Sequence, residues 1–436
     1  MDLVGPLPRR RATALFAAGL LAAALLPATA ARAADTAPAS LITSPGYSGT
    51  AEAVGPGLTL LTYTNPEDDR IVQVLRADPD LAPLTVESTT GAGGALAETT
   101  TQMLDSTTSV VSRRPHAGVN GGFWTVQRGN LAFMGVSVQE GVIQSASCAV
   151  PSRAEAVLIQ HGRPYISQFT THLTVSAPGA DPVALDGVNR HPGWMPGCAQ
   201  GTGATADRSA GGGIFTDASE IVAFTPQFKA PTPASDGDPR FTEDDDPGAE
   251  AVVGADGEVL SLNPDGRGGT AVPAGGRVLQ GTGTGADWLR AHAVPGTVLT
   301  LQERLRDERF GDDIPLDASV DVVNGHYPLV RDARYAYTGT NVKVDPRTAI
   351  AVDGPGRTLF VTVTGRTGRD GVTLDGLAAI LLDLGAVDAL NLDGGGSTTL
   401  VVEQTVRNRP SDATGERAVA DSVYIGYGGY GLYATP

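Results

Sequence analysis

ALNLDGGGSTTL, residues 389–400, is the stretch on which the reading of this chain turns. An apolar strand-like run ends in Asp393, three glycines follow, and a hydroxyl-rich run begins. Glycine costs a folded backbone about 0.5–1 kcal/mol relative to alanine. A turn needs one glycine or two, and three in succession ask for a further reason. One reading is an Asx-type turn that closes a strand-to-strand connection. The other is a carboxylate presented at the tip of a buried strand, with bare backbone beside it so that a ligand can approach the main chain. The length of the glycine run and the wholly apolar strand before it favour the second.

Working outward, Leu374, Leu377, Ala378, Leu381 and Leu382 fall at i, i+3, i+4, i+7 and i+8, which predicts a helix with one apolar face. Thr373 is its N-cap and Gly385 its C-terminal stop. The local order is strand 358–365, helix, strand 388–392, glycine turn, strand 398–403. Farther upstream, short β-like runs at 58–64, 70–77, 135–143, 156–160 and 220–226 are punctuated by Gly, Pro, Asn and Asp. The fold class expected is α+β: β-rich mixed sheets with a few helices and an active site at strand ends. No repeat of solenoid period is visible.

The ends and the composition bound the function. Arg9, Arg10 and Arg11, the apolar run from Ala12 to Leu26 and the small residues around Ala31-Arg32-Ala33 read as a cleaved signal peptide, residues 1–34. Its apolar run is shorter than the ~20 residues of a membrane span. Residues 35–56 read as a flexible leader and 57–436 as the catalytic domain. The expectation is a secreted protein with no membrane span in its mature chain. The formal charge of −17 argues against nucleic-acid partners and anionic membranes. Cys148 and Cys198 form either a single disulfide, the expected state for an exported chain, or two buried thiols.

Two stretches read as insertions: 197–213, rich in Gly, Ala and Thr, and 234–248, strongly acidic. The acidic one could gather Ca²⁺, but it lacks EF-hand spacing and also reads as a solvated loop. No other cofactor or metal is expected. The six histidines show no zinc spacing, and there is no GxSxG elbow or Walker loop. GTGTGADWL (281–289) lacks the full dinucleotide pattern and reads as a turn before a helix.

Several other stretches place polar residues where strands end. AGVNGGFW (117–124) ends in Asn120, Gly121 and Gly122, and DVVNGHYPLV (321–330) repeats the pattern at Asn324. DPRTAIAV (345–352) sets Arg347 and Thr348 before a strand, and TGRTG (364–368) sets Arg366 after one. RNRPSDATGERAVADSVYI (407–425) offers Asn408, Ser411 and Arg417. Any one Asn-Gly alone reads as a hairpin turn. Together these stretches describe a rigid scaffold carrying a carboxylate and arginine forks suited to an anion such as phosphate.

VNGGFW, DPRTAIAV, the Gly-Arg at 365–366, LDGLAAILLDLGA and ALNLDGGGSTT, in that order, resemble the phosphodiester glycosidase family. The resemblance implies hydrolysis of a sugar-1-phosphodiester, of N-acetylglucosamine-1-phosphodiester type, to free sugar and phosphomonoester. It places Asn120, Gly121, Gly122, Arg347, Thr348, Arg366, Asn391, Asp393, Gly394, Gly395, Gly396, Ser397 and Arg417 around the pocket. Asn189-Arg190 resembles the family's Asn-Arg. In this reading Asp393 activates water or shields an oxocarbenium-like centre. Arg347, Arg366 and Arg417 grip the phosphate. Asn120 and Asn391 hold sugar hydroxyls or orient the Asp. Two departures stand out: Thr364 where an Asp commonly precedes the Gly-Arg, and His326-Tyr327-Pro328 where a Gly-Gly-Pro-like turn is common. The substrate would be a sugar phosphate or a cell-envelope polysaccharide. The alternative is a non-catalytic carbohydrate- or envelope-polymer-binding protein with the same pocket. A phosphodiesterase that cuts the P–O bond would call for a metal cluster the sequence does not display. Nothing in these motifs fixes an oligomeric state.

Overall fold

The computed structural model describes residues 46–65, 67, 69–92, 97–108, 112–127, 130–147, 153–193, 205–207, 212–214, 219–235, 247–365 and 371–428. The expected signal peptide, Cys148, Cys198, Arg366 and most of both insertions lie outside these residues.

The sheet that carries Asp393 has eight strands in the order Ser48–Gly55, Leu58–Asn65, Arg70–Ala77, Thr358–Gly365, Arg347–Asp353, Ala386–Asn391, Pro328–Arg331 and Arg334–Tyr335. Every pairing in it is antiparallel. Successive side chains point to opposite faces of a strand, and here both faces are covered. Ala349, Ala351, Val361 and Val363 pack with Leu377, Ala378 and Leu381 of the helix Leu374–Asp383. Ile350, Phe360 and Leu390 point the other way, into a second core. That is why TLFVTVTG carries no charged residue and is buried at every position, its threonines included. Truncating Leu381, fully buried, to alanine should cost about 2–5 kcal/mol.

The second core joins three sheets. Val119, Leu400 and Val423 come from a five-stranded sheet ordered Thr405–Val406, Leu400–Val402, Ser112–Asn120, Ser422–Gly428 and Leu84–Thr89. Val157 and Val323 come from a third sheet, in which Glu155–Gln160 pairs with Val320–Asn324. The fold is β-rich with several sheets, as expected. Gly187–Val188 and Ile221–Phe224 pair in parallel, which makes their five-stranded sheet mixed, while every other strand pairing among the described residues is antiparallel.

The helix has the ends its sequence implies. Thr373 Oγ1 accepts from the Gly376 amide at 3.1 Å, and Gly385 adopts a φ of +83°. GTGTGADWL likewise turns into the helix Gly283–His292. A Cβ on Gly285 would overlap the Glu220 carbonyl, so that glycine serves close packing on the neighbouring strand. None of the helices among the described residues is long and apolar enough to cross a membrane.

Two expectations need correction. The second half of the stretch read as a flexible leader, Ser48–Gly55, is an edge strand in register with Leu58–Asn65. Its side chains are mostly exposed and it is held by backbone pairing, so its Ala/Thr/Gly composition carries no apolar signal. The strand expected over 398–403 is shorter, Leu400–Val402, because Gly395–Ser397 form a 3₁₀ turn before it.

Candidate active site

Three strands, one from each sheet around the second core, end on an asparagine: Ser112–Asn120, Val320–Asn324 and Ala386–Asn391. Asn120 and Asn324 are fully buried, at 0% exposure, and Asn391 nearly so. Asn120 is saturated by protein. Its Nδ2 donates to the Asp393 carbonyl at 2.8 Å, and its Oδ1 accepts from Thr348 Oγ1 at 2.8 Å and from the Thr399 amide at 3.2 Å. Of the two roles expected for Asn120, these bonds fit holding the Asp393 main chain in place. Asn324 Oδ1 accepts from the Phe123 amide at 2.8 Å, and its Nδ2 has no hydrogen-bond partner among the described residues. Asn391 Nδ2 donates to the His326 carbonyl at 3.2 Å, and its Oδ1 is likewise unpartnered among the described residues. Buried amide atoms left unpaired cost about 1–3 kcal/mol each, and such groups call for a reason, a catalytic role or a bound water among them.

Asp393 stands two residues beyond the end of its strand. Its amide donates to the Gly121 carbonyl at 3.1 Å, and its Oδ1 accepts from the Gly394 amide at 2.9 Å. The residue keeps part of its surface open. Burial of the carboxyl raises its pKa above the usual range, and the Ser397 side chain, the Gly394 amide and the charges of Arg417 and Arg153 work against that rise.

Each of the three glycines has its own reason. A Cβ on Gly394 would come within 2.8 Å of the Pro346 carbonyl. Gly395 holds a φ of +61°, which L side chains rarely adopt. A Cβ on Gly396 would overlap the Arg417 guanidinium. The bare backbone lets the 345–347 segment and Arg417 close around the carboxylate.

Of the arginines expected to grip the phosphate, the two among the described residues, Arg347 and Arg417, are already engaged. Arg347 is buried, and it donates from Nε to the Val372 carbonyl at 3.1 Å and from Nη2 to the Lys343 carbonyl at 2.7 Å. Burial lowers its pKa. Arg417 forms a fork to Asp412, at 2.8 Å from Nε and 3.0 Å from Nη2. Arg366 lies outside the described residues. Thr348 is fully buried, and its carbonyl accepts from the Leu392 amide at 3.0 Å, tying the two central strands at the site.

Asn189 and Arg190 are bonded elsewhere. Asn189, at φ +52°, donates to Thr225 Oγ1 at 3.0 Å and accepts from the Thr225 amide at 2.9 Å. Arg190 forks onto Glu220 at 2.6 and 2.9 Å, with both side chains buried. None of these bonds reaches Asp393. Thr364 is buried within its strand, opposite Ile71.

The site also holds residues the motifs did not single out. Asp421 is buried behind Gly121 and Gly122. Its carbonyl accepts from the Gly121 amide at 2.9 Å, and its Oδ1 accepts from the Gly122 amide at 2.9 Å. Its Oδ2 has no partner among the described residues. Burial, reinforced by the Asp393 charge, lifts its pKa to about 7. A second carboxyl therefore stands beside Asp393.

Arg153, which precedes the strand Glu155–Gln160, lies with Cζ 5.5 Å from the Phe123 ring centroid. The His326 ring stands edge-on to Phe123 at 5.5 Å and stacks on Tyr327 at 3.8 Å. Burial, then the Arg153 charge, pushes the His326 pKa down to about 3, so its imidazole is neutral at physiological pH. Tyr327 holds a φ of +71°, at a turn where the family resemblance leads one to expect glycine.

Residues 248–426 match the phosphodiester glycosidase family model, an interval that contains Arg347, Thr348, Asp393, the three glycines, Arg417 and Asp421. The N-acetylglucosamine-1-phosphodiester alpha-N-acetylglucosaminidase of Bos taurus is 41% identical over 69 residues, 16% of this chain and 13% of that protein. The enzyme of the same name from Mus musculus is 26% identical over 199 residues, 35% of this chain and 38% of that protein. The chain thus matches well under half the length of these curated relatives. A solved structure from Burkholderia pseudomallei aligns with a TM-score of 0.67 at 26% identity, covering 82% of this chain and 74% of that one. A Synechocystis protein, at a TM-score of 0.63 and 18% identity, shares the fold. The resemblance to the phosphodiester glycosidases is therefore borne out, and the matched interval 248–426 holds the Asp393 turn.

Proposed function

We propose that this chain, which carries a phosphodiester glycosidase segment over residues 248–426, is a secreted hydrolase. It cleaves the bond between sugar C1 and the phosphoryl oxygen of a sugar-1-phosphodiester, of N-acetylglucosamine-1-phosphodiester type. The observation that carries this reading is Asp393, a half-buried residue whose carboxyl lies where strand ends from three sheets meet, with the charges of Arg417 and Arg153 acting on it. The secreted location rests on the leader sequence.

In this reaction the C1–O bond breaks and its electron pair leaves with the phosphomonoester. Water oxygen bonds to C1, and the proton it gives up ends on the released phosphomonoester or in solvent. A phosphate ester leaves as a stabilised anion, so protonating the leaving group matters less than in ordinary glycoside hydrolysis, and cationic groups near the departing oxygen matter more. Asp393 faces the positive charge that develops at C1. The Asn120 and Gly121 bonds hold its main chain and the Gly394 amide steadies its carboxylate, so little reorganisation is needed when that charge appears.

The test is incubation of the protein with an N-acetylglucosamine-1-phosphodiester, following sugar and phosphomonoester by mass spectrometry, with Asp393→Asn and a chelator as controls. Release that Asp393→Asn abolishes and chelation leaves untouched supports the reading. A second reading, carbohydrate binding without turnover, draws on Thr364, which brings no carboxylate to the end of its strand. It predicts saturable sugar-phosphate affinity, unchanged by Asp393→Asn, and no product.

A further inference from the structure

Of the arginines expected to meet the phosphate, Arg347 spends its fork on two main-chain carbonyls and Arg417 spends its own on Asp412. Arg153 is placed differently. Its Nη1 is buried with no hydrogen-bond partner among the described residues, and its guanidinium rests on the Phe123 ring. Phe123 is fixed in turn, because its amide donates to Asn324 Oδ1 at 2.8 Å. The same corner is tied to the Asp393 strand. The Gly325 amide donates to the Glu155 carbonyl at 3.0 Å, and the His326 amide donates to the Asn391 carbonyl at 3.0 Å.

A guanidinium is an obligate donor set that stays charged in proteins. Burying one edge without an acceptor is costly unless an anion completes it. Aromatic contact supports a guanidinium while leaving its in-plane N–H groups available to a phosphate oxygen. Asp393 is also within electrostatic reach of Arg153. The neutral His326 beside it brings neither a competing cation nor a carboxylate partner.

We propose that Arg153, steadied on the Phe123 ring, is an anion-binding residue of this site and takes the phosphate of a sugar-1-phosphodiester. The assignment rests on the function proposed above and adds a residue that distinguishes a charged substrate from an uncharged glycoside.

Wild type, Arg153→Gln and Arg153→Lys are compared on an N-acetylglucosamine-1-phosphodiester and on an uncharged aryl α-N-acetylglucosaminide, with thermal melts to verify folding. Loss of charge-assisted hydrogen bonds predicts that Arg153→Gln lowers kcat/KM on the phosphodiester about 10- to 150-fold, chiefly through KM. The uncharged substrate changes by less than about threefold, a factor worth under 1 kcal/mol. Arg153→Lys, which keeps the charge but loses the fork, falls between. Equal losses on both substrates, or no loss on the phosphodiester, overturn the assignment. If Arg153→Gln does not fold, Arg153→Lys is judged by the same two-substrate comparison. If wild type turns over neither substrate, the glycosidase reading fails, and Arg153 is then tested by titration with inorganic phosphate followed by phosphorus NMR. Binding weakened in Arg153→Gln supports the assignment. Equal binding, or none in wild type, overturns it.

Discussion

Asn120 donates from Nδ2 to the main-chain carbonyl of Asp393 across 2.8 Å, although 273 positions separate them in the chain. With its Oδ1 bonds to Thr348 and Thr399, this one buried side chain ties the five-stranded sheet to the glycine turn and to the strand that begins at Arg347. Asn120→Ala leaves the Thr348 hydroxyl, the Thr399 amide and the Asp393 carbonyl short of a partner. We predict a loss of about 2–4 kcal/mol in stability, read by denaturant unfolding. We also predict a fall in kcat/KM under conditions where the variant is fully folded. Unchanged activity in the folded variant would show that Asp393 does not depend on this bond.

Asp421 predicts a pH dependence of stability. Its pKa is about 7 in the folded chain, against about 3.9 for an unperturbed Asp. Between those values the folded protein holds a proton the unfolded chain has released, so stability falls as pH rises through about 4 to 7. The shift corresponds to a penalty on the order of 4 kcal/mol above pH 7. Asp421→Asn keeps an acceptor for the Gly122 amide and removes the ionisation. Its gain over wild type should be largest above pH 7 and shrink toward pH 4. The gain is reduced because the new amide nitrogen inherits the unpartnered place of Oδ2. Asp321, whose pKa burial raises to about 6, leaves a parallel slope in the variant. Identical pH–stability curves for the two proteins would contradict this account of Asp421.

Gly396 and Arg417 should behave as one unit. A Cβ at 396 overlaps the guanidinium in its observed position, so Gly396→Ala displaces Arg417 from Asp412. We predict that Gly396→Ala and Arg417→Ala each lower kcat/KM, and that the double variant loses little more than the worse single one. A coupling energy of about 1 kcal/mol or more is expected for groups in contact. Additive losses would mean that the glycine serves something other than this approach.

Arg347 should act first on stability. Its bonds to the Val372 and Lys343 carbonyls are side chain to backbone, the first buried and the second partly so. Lysine, a point charge without a planar fork, cannot make both. Arg347→Lys should therefore cost about 1–3 kcal/mol in denaturant unfolding. A variant as stable as wild type with a raised KM would instead place Arg347 against the substrate.

What the sequence makes legible follows from the range of the interactions. The helix Leu374–Asp383 and the strands beside it are readable because burial on both faces or on one stripe imprints a local pattern. Asp393 is readable because its three glycines answer three nearby constraints. Ser48–Gly55 is not readable, since an edge strand held by its backbone needs no apolar face. Asp421 sits in an ordinary Ala-Asp-Ser step, and it becomes part of the site only through a bond to Gly122, 299 positions away. Arg153 lies before a strand like many others, and only the ring of Phe123 and the turn at His326 give it meaning.

The central claim is that Asp393 serves cleavage at the sugar carbon rather than at phosphorus. The most direct measurement is hydrolysis of an N-acetylglucosamine-1-phosphodiester in isotopically labelled water, with products weighed by mass spectrometry for wild type and Asp393→Asn. The account predicts the label in the released sugar, none in the phosphomonoester, and no release by folded Asp393→Asn. Label in the phosphomonoester, or full release by the folded variant, would contradict it.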